Sequence, residues 1–241
     1  MREIARRFVS GLGISARLDH RLRFHPAALR WRLALRDAVA SPVKTLKRAI
    51  RPVSDDDLLR RWAEPANLLE DWDERTRAMA GMIPNGAVVI EFGAGRMILK
   101  DILGPDCVYQ GSDLVARDAS TIVCDLNQSL PKLRFKCSHA VFSGVLEYIR
   151  DTRRLVGFLS QEVEYVVASY TPLENLRSLA VRYNNGWVSH LTQEEFIQLF
   201  SDGGFVLEKS IGWRDQIIFV FRNDRRFPGA GFASLFAGVA S

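Results

Sequence analysis

The residues best placed to do chemistry begin with Gly93-Ala94-Gly95. They follow the apolar run AVVIEF (87–92) directly and precede a helical stretch from Arg96 to Leu103. Glycines there permit a tight turn and let a ligand approach the backbone N–H groups at a helix N-terminus. The Gly-x-Gly spacing alone carries no weight in a chain with 17 glycines, since Gly11/Gly13 and Gly229/Gly231 share it. Only the middle pair stands between a strand-like run and a helix. Three carboxylates accompany it: Glu91 at the end of the first run, Asp113 after CVYQGS (107–112) and Asp125 after STIVC (120–124). At the carboxyl ends of parallel strands such groups line a ligand crevice. Asp113 follows Gly95 by 18 positions. That spacing suits an acid that accepts from both hydroxyls of a ribose.

Positioning these residues requires alternating strands and helices. Beyond the three runs above, SHAVFS (138–143) and VEYVVASY (163–170) read as strands, with a helix from about 144 to 160 between them. Thr192-Gln-Glu-Glu195 is a capping box that opens a helix to about Ser201. FVLEKSIGW (205–213) and DQIIFVFR (215–222) lie too close together for a crossover helix and must pair antiparallel. The pattern predicts an α/β fold with a mainly parallel sheet and an antiparallel closing strand. Upstream, Ser54 followed by Asp55, Asp56 and Asp57 starts a helix, with its acids at the positive end of the dipole. Pro65 interrupts it. A second stretch, with Leu68, Trp72, Met79 and Ile83 near helical spacing, stops at the turn Pro84-Asn85-Gly86.

With these motifs in order, residues 67–223 resemble the class I S-adenosylmethionine-dependent methyltransferases. VVIEFGAG is similar to the family's first motif and YQGSD to the second, whose terminal acid holds the cofactor ribose. CDLN is similar to the third, which meets the adenine, and VFSGVLEYI to the fourth. GWVSHLTQEEFIQLFSDGGFVLEKS resembles the C-terminal block. The resemblance implies a Rossmann-like seven-stranded sheet, with S-adenosylmethionine as cofactor. It assigns cofactor contacts to Glu91, Gly93, Ala94, Gly95, Asp113 and Leu114, and further contacts to Asp125, Leu126, Ser143 and Gly144. The chain departs from the pattern at Met97, where a glycine is common, and at Tyr148, where histidine is common. Only Leu114–Ser120 separates Asp113 from the third strand, so the usual second helix is short or absent. Met97 and the closing hairpin disfavour a nicotinamide oxidoreductase. A non-catalytic methyltransferase-like binding module, recruited through a basic arm, stays open as the alternative.

The acceptor side is sparsely written. Methyl transfer is a direct displacement governed by alignment, and a base is needed only for a hydroxyl or a protonated amine. His190, just before the capping box, and Tyr170, at the end of the fifth strand, are the candidate bases. Glu147 could reach the crevice or serve a helix start. No amino-methylating NPPY-like motif or Pro-Cys nucleophile is present. The expected acceptor is therefore a small molecule, glycan or lipid intermediate, with no nucleic acid expected.

Length and charge fit this reading. The chain has 241 residues, 47% hydrophobic and 25% charged, which suits one globular core plus an appendage. Three widely spaced cysteines suggest neither a metal site nor a disulfide framework, and a cytoplasmic location is expected. Up to Arg51 there are 13 Lys/Arg against 3 Asp/Glu, a net of +10; the rest holds 20 against 25, a net of −5. The expected organisation is a basic helical extension (1–60), a methyltransferase domain (61–226) and an apolar tail (227–241). Lys44, Lys47, Arg48 and Arg51 form a cationic stripe on a helix between Pro42 and Pro52. With the tail it could hold the protein peripherally at an anionic membrane; the rival use is a lid over the pocket.

Overall fold

The computed structural model describes residues 53–225. The cationic stripe at 44–51 and the tail from Gly229 lie outside these residues, as does the expected N-terminal extension up to residue 52. Two helices come first, α1 (Asp55–Ala63) and α2 (Asp73–Ala80). Ser54 caps α1 by accepting from the Asp57 amide at 3.2 Å, and three acids fill its first turn. Pro65 ends the run by opening a 3-10 turn (Pro65–Asn67), and a second such turn (Glu70–Trp72) leads into α2. The turn at Pro84-Asn85-Gly86 falls where expected, with Gly86 at φ +76°.

The strands are β1 (Val88–Phe92), β2 (Val108–Asp113), β3 (Ile122–Val123), β4 (His139–Phe142) and β5 (Tyr165–Tyr170), then β6 (Phe205–Trp213) and β7 (Gln216–Asn223). They form one seven-stranded sheet in the order β3-β2-β1-β4-β5-β7-β6. β1 to β5 pair in parallel, while β7 is antiparallel to both β5 and β6. The short β6–β7 connection dictates this: two intervening residues cannot return a strand in parallel. The helices between strands are α3 (Ile98–Ile102), α4 (Thr152–Glu162), α5 (Leu179–Asn184) and α6 (Gln193–Asp202).

Central strands bury both faces, as parallel sheets do. On one face Ile90, Phe92 and Phe142 pack with Leu159 of α4 and Phe196 and Phe200 of α6. On the other, Val89, Val141 and Val220 pack with Met79 and Leu99. Phe200 and Phe221 stack at 4.2 Å; each such buried side chain contributes roughly 1.5–3 kcal/mol. Asn223 Nδ2 donates to the carbonyls of Ser160 and Val163, both at 2.9 Å, fixing the end of α4 to β7.

Three local expectations need correction. The helix drawn from residue 144 starts later. Gly144 is left-handed at φ +72°, Leu146–Tyr148 is a 3-10 turn, and Asp151 caps α4 by accepting from the Arg154 amide at 2.9 Å. β3 is only two residues long. α5 was not anticipated, although Ser178 caps it. The missing second helix is confirmed: after Asp113 the chain folds around Asp118, whose Oδ1 accepts from Ser120 and Thr121.

Candidate functional site

β1 and β4 are neighbours; the connection after β1 leads to β2 on one side and that after β4 to β5 on the other, so a crevice opens between their carboxyl ends. A cavity of about 510 Å³ occupies this position. The loop after β1 forms one wall. Gly93 and Gly95 are left-handed (φ +72° and +51°), and Met97 joins them at φ +59°, a conformation that costs a non-glycine residue about 1–2 kcal/mol. The loop is tied to β2: the Gly93 and Ala94 amides donate to the Ser112 carbonyl at 2.8 and 3.1 Å. The Gly95 amide donates to Asp113 Oδ2 at 2.8 Å.

Asp113 is 6% exposed and is also held by Arg117. Arg117 Nε lies 3.1 Å from Oδ2, and Nη2 donates to Oδ1 at 3.1 Å and to the Trp62 carbonyl at 2.7 Å. Arg117 thereby links the acid to α1. Asp125 accepts from the Asn127 amide at 2.9 Å and from the Gln128 side chain at 3.0 Å. Leu114, Leu126 and Val145 supply apolar lining between these groups.

Glu91 also lines the cavity and accepts from Tyr109 Oη at 2.6 Å. Burial pushes its carboxyl up to about 8, against the Tyr109 hydrogen bond that favours the anion. The folded state thus holds this proton more tightly than the unfolded chain, where the glutamate titrates near 4.5. Its stabilising contribution is full below that value and is lost as pH rises through about 8. Glu91→Gln keeps an acceptor for Tyr109 but cannot ionise. Its melting temperature should fall less than that of the wild type between about pH 5 and about pH 8. Parallel curves for the two proteins would contradict the burial argument.

At the end of β4, Ser143 and Gly144 meet α2. Arg75 is 6% exposed. Its Nε donates to Ser143 Oγ at 3.0 Å, Nη2 to the Ser143 carbonyl at 3.0 Å and Nη1 to Gln216 Oε1 at 2.8 Å. A Cβ at Gly144 would lie 2.7 Å from the Arg75 guanidinium, so glycine is required for that approach. Glu147 is 1% exposed. Its Oε1 accepts from the Thr171 amide at 2.8 Å, Thr171 Oγ1 at 3.1 Å and Gln216 Nε2 at 3.3 Å. Burial raises its proton affinity, with Arg75 and the Thr171 bonds opposing.

All ten expected cofactor residues line this one cavity: Glu91, Gly93, Ala94, Gly95 and Asp113 with Leu114, Asp125, Leu126, Ser143 and Gly144. The two expected bases do not. Tyr170 is fully buried, stacked on Phe196 at 4.4 Å; its Oη accepts from the Leu191 amide at 2.8 Å and shares a hydrogen bond with Ser189 Oγ at 3.0 Å. His190 Nδ1 accepts from Arg182 Nε at 3.0 Å, so the neutral ring carries its proton on Nε2. Burial and Arg182 both lower its proton affinity. Both side chains brace the segment between β5 and α6 and lie outside the cavity lining.

Sequence reasoning missed Trp62, Trp72, Arg75, Trp187 and Gln216, all of which line the cavity. α1, which crosses the boundary drawn by sequence at residue 60, contributes Asp55, Leu58 and Leu59 from the extension side and Trp62 from the domain side. Among the described residues there is no cluster of three or more metal-ligating side chains, and no helix is long and apolar enough to cross a membrane.

This architecture occurs in solved structures. An S-adenosylmethionine-dependent methyltransferase from Mesorhizobium loti superposes with a TM-score of 0.51 at 15% identity, over 60% of this chain and 95% of that one. The chain has the class I methyltransferase fold. A candidate O-methyltransferase from Nostoc punctiforme PCC 73102 gives a TM-score of 0.55 at 11% identity, over 72% of this chain and 62% of that one. A Haloferax volcanii complex of the Trm112 methyltransferase activator with a candidate methyltransferase gives 0.51 at 15%, over 63% and 89%. No family model matches the sequence, and no curated protein is similar to it. The methyltransferase fold here thus rests on three-dimensional likeness and on the strand-end motifs together.

Proposed function

We propose that this methyltransferase-fold protein transfers a methyl group from S-adenosylmethionine to a small-molecule, glycan or lipid-intermediate acceptor. One observation carries the reading. The Gly95 amide in the left-handed loop is tied to Asp113 at the adjacent strand end, and both face one cavity at the sheet's switch point. The residues fit the cofactor's parts. The Gly93–Gly95 loop offers a backbone surface with no side chain larger than the Ala94 methyl, and Asp113 offers a carboxylate for the ribose diol, which would take over contacts Arg117 makes to it. Leu114, Asp125 and Leu126 would hold the adenine. When bound, S-adenosylmethionine supplies an electrophilic methyl group. The protein's own work is to hold donor and acceptor in line and keep water out.

Asp113→Asn keeps an acceptor for the Gly95 amide and removes the charge. Charge-assisted hydrogen bonds are about twice as strong as neutral ones, so S-adenosylhomocysteine affinity should fall roughly tenfold, or about 1.4 kcal/mol. An unchanged dissociation constant in the folded variant would remove the ribose assignment. Turnover is tested by S-adenosylhomocysteine release from S-adenosylmethionine in the presence of pooled phenols, amines, glycosides and lipid extracts. Release above the acceptor-free rate supports the reading. Cofactor binding with no release across all pools favours the non-catalytic module instead.

A further inference from the structure

We propose that Arg117 competes with the donor's ribose for Asp113, so that donor binding unlatches α1 from the sheet. This deepens, and rests on, the methyl-transfer reading. An ionised carboxylate offers about four lone-pair sites, and the protein's own donors take all of them at Asp113. At Oδ1 the Val115 amide lies at 3.4 Å and Arg117 Nη2 at 3.1 Å. At Oδ2 the Gly95 amide lies at 2.8 Å and Arg117 Nε at 3.1 Å. A ribose diol needs two of these sites, one for each hydroxyl. The amides are fixed by the backbone turns that carry them, so the Arg117 side chain must yield. Its Nε, moreover, meets Oδ2 without making a hydrogen bond, which leaves the fork the weaker hold.

Arg117 holds more than Asp113. Its Nη2 also donates to the Trp62 carbonyl at 2.7 Å, in the last turn of α1, where carbonyls have no partner within the helix. A cation there also suits the negative end of the helix dipole. The Arg117 side chain is 8% exposed and that of Asp113 5%. A buried cation deprived of its carboxylate is costly, so Arg117 cannot stay in place once the ribose is on Asp113. It must turn to water, and the tie from β2 through Arg117 to α1 is broken.

α1 is otherwise lightly held. Leu58 alone of its nine residues is buried. Arg61 Nη1 donates to the Asn185 carbonyl at 3.1 Å, and the Trp62 ring meets those of Trp72 and Tyr148. The ion pair of Asp55 with Arg150 is about half exposed on both sides and holds weakly. Leu58, Leu59 and Trp62 line the cavity, so loosening α1 widens its rim. By linkage the effect is reciprocal: whatever frees Asp113 from Arg117 raises donor affinity.

The test is calorimetric titration of the full chain with S-adenosylhomocysteine, alongside hydrogen exchange of the α1 amides. Arg117→Gln should bind S-adenosylhomocysteine at least about fivefold more tightly than the wild type, and its α1 amides should exchange faster before ligand is added. Added S-adenosylhomocysteine should speed α1 exchange in the wild type and leave it unchanged in Arg117→Gln. In an Asp113→Asn background Arg117→Gln should gain less than about twofold, because the contested charge is gone. A merely structural Arg117 would weaken binding in both backgrounds. Should Arg117→Gln fail to fold, Arg117→Lys, which keeps the charge without the planar fork, should also bind more tightly than the wild type. Wild-type binding that leaves α1 exchange unchanged or slower, or equal or weaker binding by a folded Arg117 variant, overturns the competition alone. No binding by the wild type or by any folded Arg117 variant overturns the donor reading and the competition together.

Discussion

Gly93→Val will abolish S-adenosylhomocysteine binding, lowering affinity by more than about a hundredfold. Gly93 sits at φ +72°, where a β-branched side chain is strained, and a Cβ there would collide with Val145 Cγ2. Left-handed backbone costs an L-residue about 1–2 kcal/mol, and forcing extra carbons into a filled space adds about 1–3 kcal/mol. The loop has two ways to relieve this. It can displace Val145, which lines the same cavity, or break the Gly93 amide bond to Ser112. Either changes the surface on which the donor would lie. The sheet itself should survive, because the hydrophobic clusters on its two faces do not include Gly93. A titration next to a thermal melt checks this. Affinity within about threefold of wild type would place the site elsewhere.

Arg182→Ala should cost at least about 3 kcal/mol of stability and lower the melting temperature by about 10 °C. Arg182 is fully buried, and all five of its N–H groups are used. Nε donates to His190, Nη1 to the carbonyls of Pro172 and Leu176, and Nη2 to those of Thr171 and Ser189. Its guanidinium also lies 5.0 Å over the Trp187 ring. Truncation removes this donor from the carbonyls of Thr171, Leu176 and Ser189 and from an imidazole nitrogen, while Pro172 keeps the Asn175 and Leu176 amides. It also leaves a void in the segment that carries Trp187 to the cavity. Lysine, with three donors and no planar fork, cannot replace it. A melting temperature within about 2 °C of wild type would refute this bracing role.

The proposed donor end was legible because its signals are local. An apolar run, two glycines and an acid at the next strand end follow each other within 87–113, and each obeys a rule of strand or turn geometry. The antiparallel closing strand was legible from a connection too short for any alternative. The rest of the cavity lining has no such grammar. Trp62, Arg75, Glu147, Trp187 and Gln216 lie far apart in the chain, and none stands in a pattern that distinguishes it from a core or surface residue. His190 and Tyr170 drew attention by residue type and position. Their partners, Arg182 and the Leu191 amide, become visible only when the chain after β5 is folded back. The helix drawn from residue 144 failed for a local reason: Gly144 takes the left-handed conformation that lets Arg75 reach Ser143.

The central claim is that the loop after β1 and Asp113 together form a donor site. It is tested most directly by titrating the full chain with S-adenosylhomocysteine in a calorimeter. The account predicts one site per chain, an affinity weakened roughly tenfold by Asp113→Asn, and no binding by Gly93→Val. Absence of binding to the wild-type protein at concentrations on the order of 1 mM, or equal binding by all three proteins, would contradict it.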